Sequence, residues 1–138
     1  IFYTCAFIIP LGKSVHSFFQ PKDGTPPVVP PYCKFHFFNG IEEDTAKHYE
    51  STLTASAVLK TVLRNDAYAS LPCVYLVTEN DLALPAAYQE AMVELQNQRP
   101  EVQISLIRCS NGHSPHLAFT KGLVAEVKRF GTTALGLD

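Results

Sequence analysis

Two residues of this sequence could form an acid–base pair: Asp81 and His113. Asp81 closes the segment Thr78-Glu79-Asn80-Asp81, and His113 stands in Asn111-Gly112-His113-Ser114-Pro115. A carboxylate that holds an imidazole in one tautomer is the acid–base half of a nucleophilic triad. Glu79 is the competing acid, but it sits at the first turn residue and is less free to swing toward a neighbouring loop. Asp81 has a blander reading as well: four residues before Pro85, it could simply cap the helix that follows. Gly112 permits a sharp turn and Pro115 stiffens the exit, so His113 is placed between two constraints. His116 falls beyond that turn and reads as exposed. His16, His36 and His48 have no partner pattern and read as structural.

Both residues follow strand-like apolar runs, residues 73–77 and 102–107. Between the runs Tyr88, Ala91, Met92 and Leu95 recur at helical spacing. Pro85 suits the first turn of that helix, where a missing N–H costs nothing. Strand, helix, strand is a crossover unit, and such a unit makes its strands parallel. Asp81 and His113 then leave the sheet at one edge, on loops that can meet. A nucleophile is harder to find. The G-x-S-x-G turn needs glycines on both sides of the serine. Gly12-Lys13-Ser14 lacks the second glycine, and Ser114 is too near His113 in sequence. The cysteines lie in or beside strand-like runs.

The 138 residues suffice for one domain, and 46% hydrophobic against 17% charged residues allow a buried core. A net charge of −2 gives no reason to expect nucleic acid or an anionic membrane as partner. No apolar run approaches a membrane span, and residues 1–10 lack the basic leader and cleavage site of a signal peptide. Cys5, Cys33, Cys73 and Cys109 form no C-x-x-C pair, so a zinc site is not expected; they suit buried thiols in a reducing cytoplasm. No cofactor motif is present. Met92 is the single methionine and Ile1 opens inside an apolar run, so the chain is expected to be a fragment of something longer.

In order, residues 1–9 read as a strand buried on both faces, ended by Pro10 and Gly12. Residues 13–19 read as a loop with Lys13 and His16 exposed. Residues 20–31 are too dense in proline for a regular element. Residues 32–39 are aromatic and end at Asn39-Gly40. A helix is expected over 42–53, with Glu42, Glu43 and Asp44 at its N-terminus and Ala46, Tyr49 and Leu53 on one face. A second is expected over 55–63 and is broken by Asn65-Asp66. The last helix, about 120–130, carries Leu123, Val124, Val127 and Phe130, with Gly131 as its stop and a frayed tail behind it.

Taken together, these motifs resemble the C-terminal half of an α/β-hydrolase, in the small esterase-like branch that includes methylesterases and hydroxynitrile lyases. Residues 3–12, YTCAFIIPLG, resemble the strand after the nucleophile helix. Residues 20–63 resemble the lid. Residues 71–89, LPCVYLVTENDLALPAAYQ, resemble the acid strand with its x-P-x-x-x-Q helix start. Residues 107–117 resemble the catalytic histidine loop. The resemblance implies about three parallel strands, near 2–9, 73–78 and 103–107, with an inserted helical lid. The domain would divide into residues 1–19 (inner strand and loop), 20–66 (lid) and 67–138 (acid and histidine strands with the last helix). It implies Asp81 as triad acid and His113 as general base, with the serine elbow and oxyanion donors lying outside this chain. Phe35, Phe37, Phe38 and Tyr49 would then line the pocket for a small ester or related carbonyl substrate. Residues 1–9 would offer an open edge for self-association. One departure is Ala118, near where this family often has a helix-capping residue, so the last helix would start late. The alternative is a hydrolase relative that binds small molecules without catalysis, or an inactive truncated product. A doubly wound flavodoxin-type fold is the other architecture considered, and no phosphate-cradling loop supports it.

Overall fold

The structure is a computed structural model, and it describes residues 1–20, 23, 34–50 and 57–137. Most of the proline-dense stretch, Cys33, Leu53 and Ala55 fall outside these residues, as do the side chains of Phe35 and Val58. Among the described residues three strands form one parallel sheet in the order β1 (Phe2–Thr4), β2 (Cys73–Thr78), β3 (Ile104–Cys109). Val74 stands between Phe2 and Ser105 in register, and Leu76 between Thr4 and Ile107. β2 is buried along its whole length, as an apolar run with neighbours on both sides should be.

β1 ends sooner than the apolar run 1–9 suggests. Cys5 adopts φ 48°, which no ladder continues. The hydroxyl of Tyr75 then takes over from a strand neighbour. It donates to Ala6 O at 2.8 Å and accepts from Ala6 N–H at 3.2 Å. Ile8 and Ile9 still reach the core, with Tyr68, Tyr75, Val77, Met92, Val93 and Ile104.

The intervening segment holds α1 (Val15–Phe18), α2 (Lys34–Phe37), α3 (Glu43–Glu50) and α4 (Ala57–Lys60), with α1 packed on α4. Residues 15–18 are helical rather than loop because Ser14 and Ser17 cap one another reciprocally, and His16 is half-buried. α4 stops at Lys60, short of the 63 expected, because Leu63 is drawn into a neck. Leu63 donates to Lys13 O at 2.8 Å and accepts from Gly12 N–H at 3.0 Å.

After a 3₁₀ turn (Ala67–Ala69) come β2, α5 (Ala86–Asn97), β3, α6 (Pro115–Ala118) and α7 (Thr120–Ala134). Pro85 is the N-cap of α5 rather than a residue of its first turn. The buried face of α5 is also turned by one residue from the apolar pattern. Gln89, Met92, Val93 and Gln96 face inward, while Tyr88 is 55% exposed. α7 runs through Gly131 to Ala134, and Gly136, just past its C-cap Leu135, stops it. There φ is +64°, Gly136 N–H bonds Thr133 O, and Leu137 N–H bonds Thr132 O, the pairing of a Schellman stop.

Candidate active site

Asp81 and His113 meet where the adjacent strands β2 and β3 end. Backbone pairing carries on past the ladder and joins their loops. Glu79 N–H donates to Cys109 O at 2.9 Å and Asn80 N–H to Asn111 O at 3.1 Å. The Asn80 side chain adds a bond to Ser110 O at 3.1 Å. With the loops fixed, His113 Nδ1 lies 2.8 Å from Asp81 Oδ2. Glu79, the rival acid, instead accepts from Ser110 Oγ at 2.7 Å.

The two carboxylate oxygens of Asp81 do different work. Oδ1 accepts from the backbone N–H groups of Ala83 and Leu84, each at 2.8 Å, and shapes the turn into α5. Asp81 thus holds the turn before α5 without capping the helix, whose N-cap is Pro85, and the same side chain meets His113. Oδ2 accepts from Thr78 Oγ1 at 3.0 Å and Gln89 Nε2 at 3.3 Å, besides facing His113. Burial alone would push the Asp81 pKa up. The bond to His113, the Leu84 N–H, the charge of His113 and the Ala83 N–H outweigh it, and the carboxyl titrates below its ordinary value.

The opposite wall comes from the segment before α3. The Phe37 ring stands edge-on to the His113 imidazole, centroids 4.6 Å apart. Phe37 O accepts from Ser114 Oγ at 2.7 Å, which commits that hydroxyl to the backbone. Asn39 reaches both loops: Nδ2 donates to Asn80 O at 2.8 Å, and Oδ1 accepts from His113 N–H at 3.5 Å. Gly112 does not have a positive φ. A Cβ there would lie 2.6 Å from Asn39, so close approach is what demands glycine. His116 is exposed, as expected.

A cavity of about 360 Å³ opens at this junction, lined by Thr4, Cys5, Phe37, Phe38, Tyr49, His113, Ser114, Pro115 and His116. Hollows of about 460 and 450 Å³ lie between α1 and α5 and between the sheet and α7, and neither touches Asp81 or His113. We place the site at the smaller cavity because the titratable pair is there. Phe37, Phe38 and Tyr49 line it as the sequence suggests.

Cys5, Asp81 and His113 offer ligand atoms within 4.8 Å of one another, the spacing of a possible cation site among the described residues. The chemistry favours a proton-handling pair instead. Asp81 Oδ2 already accepts from Thr78 and Gln89, and burial pushes the Cys5 thiol up to about 11 despite its bonds to Thr78 and Thr4. A protonated thiol is a poor ligand and a poor nucleophile. Ser14, the other serine considered, is the buried N-cap of α1.

Among the described residues a three-stranded parallel sheet carries Asp81 and His113 at its C-terminal edge, with an excursion after the first strand, an arrangement consistent with the C-terminal part of an α/β-hydrolase fold. No protein-family model matches the sequence. The chain is 26% identical over 133 residues to the α/β hydrolase nvfD of Aspergillus novofumigatus, covering 86% of this chain and 51% of that protein. It superposes on the crystal structure of the pyrethroid hydrolase PytH with a TM-score of 0.59 at 15% identity, covering 94% of this chain and 59% of that one. The chain therefore spans about half the length of the curated relative it matches. Among the described residues no helix is long and apolar enough to cross a membrane.

Proposed function

We propose that this chain supplies the acid, Asp81, and the general base, His113, of a Ser-His-Asp triad in an esterase-like hydrolase. The substrate is a small, largely apolar ester or related carbonyl compound. The serine and the oxyanion donors belong to a part of the protein outside the present chain. The reading rests on one observation, the 2.8 Å contact of His113 Nδ1 with Asp81 Oδ2 beside an aromatic cavity. That contact commits Nδ1 to the carboxylate and leaves Nε2 to take the proton of a hydroxyl. The proton then passes to the departing alkoxide, while Asp81 stabilises the imidazolium. Residues 20–66 serve as the lid, with Phe37, Phe38 and Tyr49 facing the acyl or alkyl group. A reducing cytoplasm suits Cys5, Cys73 and Cys109, which are free thiols. The likeness to proteins named as hydrolases supports the class of reaction.

Treatment of the full-length protein and of this chain with a serine-directed phosphonate probe tests the proposal. The full-length protein should be labelled on a serine outside these 138 residues, and His113→Ala should abolish both labelling and ester turnover. This chain alone lacks the oxyanion donors, usually the largest electrostatic contribution, and should stay unlabelled. Stoichiometric labelling of Ser14 or Ser114 would overturn the reading. A full-length protein that binds apolar esters without turnover or labelling would point to the non-catalytic relative instead.

A further inference from the structure

The contacts that hold Asp81 extend beyond His113 into α5. Gln89 lies on the face of α5 turned to β2 and is 0% exposed. Its amide oxygen accepts from Thr78 N–H at 3.1 Å. That contact orients the amide and aims its nitrogen at the turn before the helix. There Nε2 lies 2.6 Å from Leu84 O, 3.0 Å from Thr78 Oγ1, 3.2 Å from Thr78 O and 3.3 Å from Asp81 Oδ2.

An amide nitrogen has only two hydrogens to give. Leu84 O is the shortest partner and takes one. The other is shared between the Thr78 oxygens and Asp81. A Thr78 hydroxyl that accepts from Gln89 has its own hydrogen to give, and the carboxylate oxygen of Asp81 stands 3.0 Å away. The donor chain thus runs from Gln89 through Thr78 to Asp81 Oδ2, the oxygen that also faces His113. Every member of the chain is buried, so each lost donor leaves an acceptor with no water to replace it.

We propose that Gln89, acting with Thr78, is a positioning residue that sets the place of the Asp81 carboxylate and, through it, the orientation of the His113 ring. The proposal rests on reading Asp81 and His113 as an acid–base pair. Gln89 touches no reacting atom. It ties the helix to the end of β2 and to both ends of the turn that bears the acid. A residue of purely structural value would change stability and leave the pair unmoved, and the two roles separate on that point.

The test uses Gln89→Met, which keeps the length and removes the amide. It also uses Thr78→Val, which keeps the shape and removes the hydroxyl, and Thr78→Ser, which restores it. NMR of the isotopically labelled protein follows the His113 Nδ1–H proton and the titration of the Asp81 carboxyl. In Gln89→Met and Thr78→Val the proton signal should broaden by exchange with water, and Asp81 should titrate at higher pH. Thr78→Ser should resemble the parent. In the full-length protein kcat should fall about 10- to 100-fold with KM little changed, the scale of a misplaced catalytic group. An unmoved Nδ1–H signal and Asp81 titration, with only the melting temperature lowered, would overturn the proposal. Should Gln89→Met fail to fold, Thr78→Val against Thr78→Ser decides. If the NMR signals move but His113→Ala leaves ester turnover intact, positioning stands and the hydrolase reading falls.

Discussion

At the scale of single residues, Asp81 couples the site to the stability of the fold. Its carboxyl is held below the ordinary value of 3.8 in the folded chain, and nothing holds it so when unfolded. Between the two pKa values the unfolded state binds more protons, so stability rises with pH. The contribution is complete above the ordinary value and disappears as pH falls through the lower, folded one. Urea midpoints taken from about pH 2 to 6 should therefore climb more steeply for the parent than for Asp81→Asn. In the full-length protein the same substitution should lower kcat by about 10⁴-fold while leaving the circular dichroism unchanged, since the imidazole loses its tautomer and its counter-charge. Asp81 and His113 were legible in the sequence because each follows an apolar run that ends in a turn. Thr78 and Asn39 were not, and Gln89 was marked only as the last residue of the x-P-x-x-x-Q helix start, with no contact assigned to it. Their value lies in contacts across the fold, and a Gln within an amphipathic helix reads by type as a surface residue. The sign that could have exposed Gln89 is its spacing with Met92, Val93 and Gln96, a face one residue round from the one that Tyr88 and Leu95 suggest.

At the scale of elements, glycines separate helix continuation from helix end. Gly131 lies inside α7, with open space where a Cβ would go. Gly131→Ala should stabilise the protein by about 0.5–1 kcal/mol in chemical denaturation. Gly136→Ala should destabilise it by about 1–2 kcal/mol, because φ +64° is left-handed backbone. Read in sequence alone, Gly131 looks like the stop because the apolar face ends at Phe130; the stop is chosen by dihedral angle, which no pattern of side chains displays. The same lesson holds for β1, where the apolar run 1–9 continues but Cys5 turns out of the ladder. Gly112 offers a sharper test of how the segment at Asn39 meets the loop that carries His113. Gly112→Ala places a Cβ against Asn39, and overpacking of this kind costs about 1–3 kcal/mol. Adding Asn39→Ala should recover part of that loss in a double-mutant cycle, and strict additivity would show that the two residues do not touch.

Across the whole molecule, the parallel order of the strands was readable because strand, helix, strand permits little else, while the extent of each edge was not. β1 borders the sheet with β2 on one side, and its other side has no strand partner among the described residues. An open apolar edge invites pairing with another chain. We expect sedimentation of this chain to show concentration-dependent self-association, and a monodisperse monomer at high concentration would refute it. The neck where Gly12 and Lys13 meet Leu63 carries a different consequence. The chain leaves the sheet and returns to it through one clasp, so length gained or lost between those points adds closure entropy only logarithmically. The strand register is set outside that excursion, which braces the loops of the acid–base pair at Phe37 and Asn39. The excursion can therefore change in length and reshape the cavity mouth as long as Phe37 and Asn39 keep their contacts with the two loops.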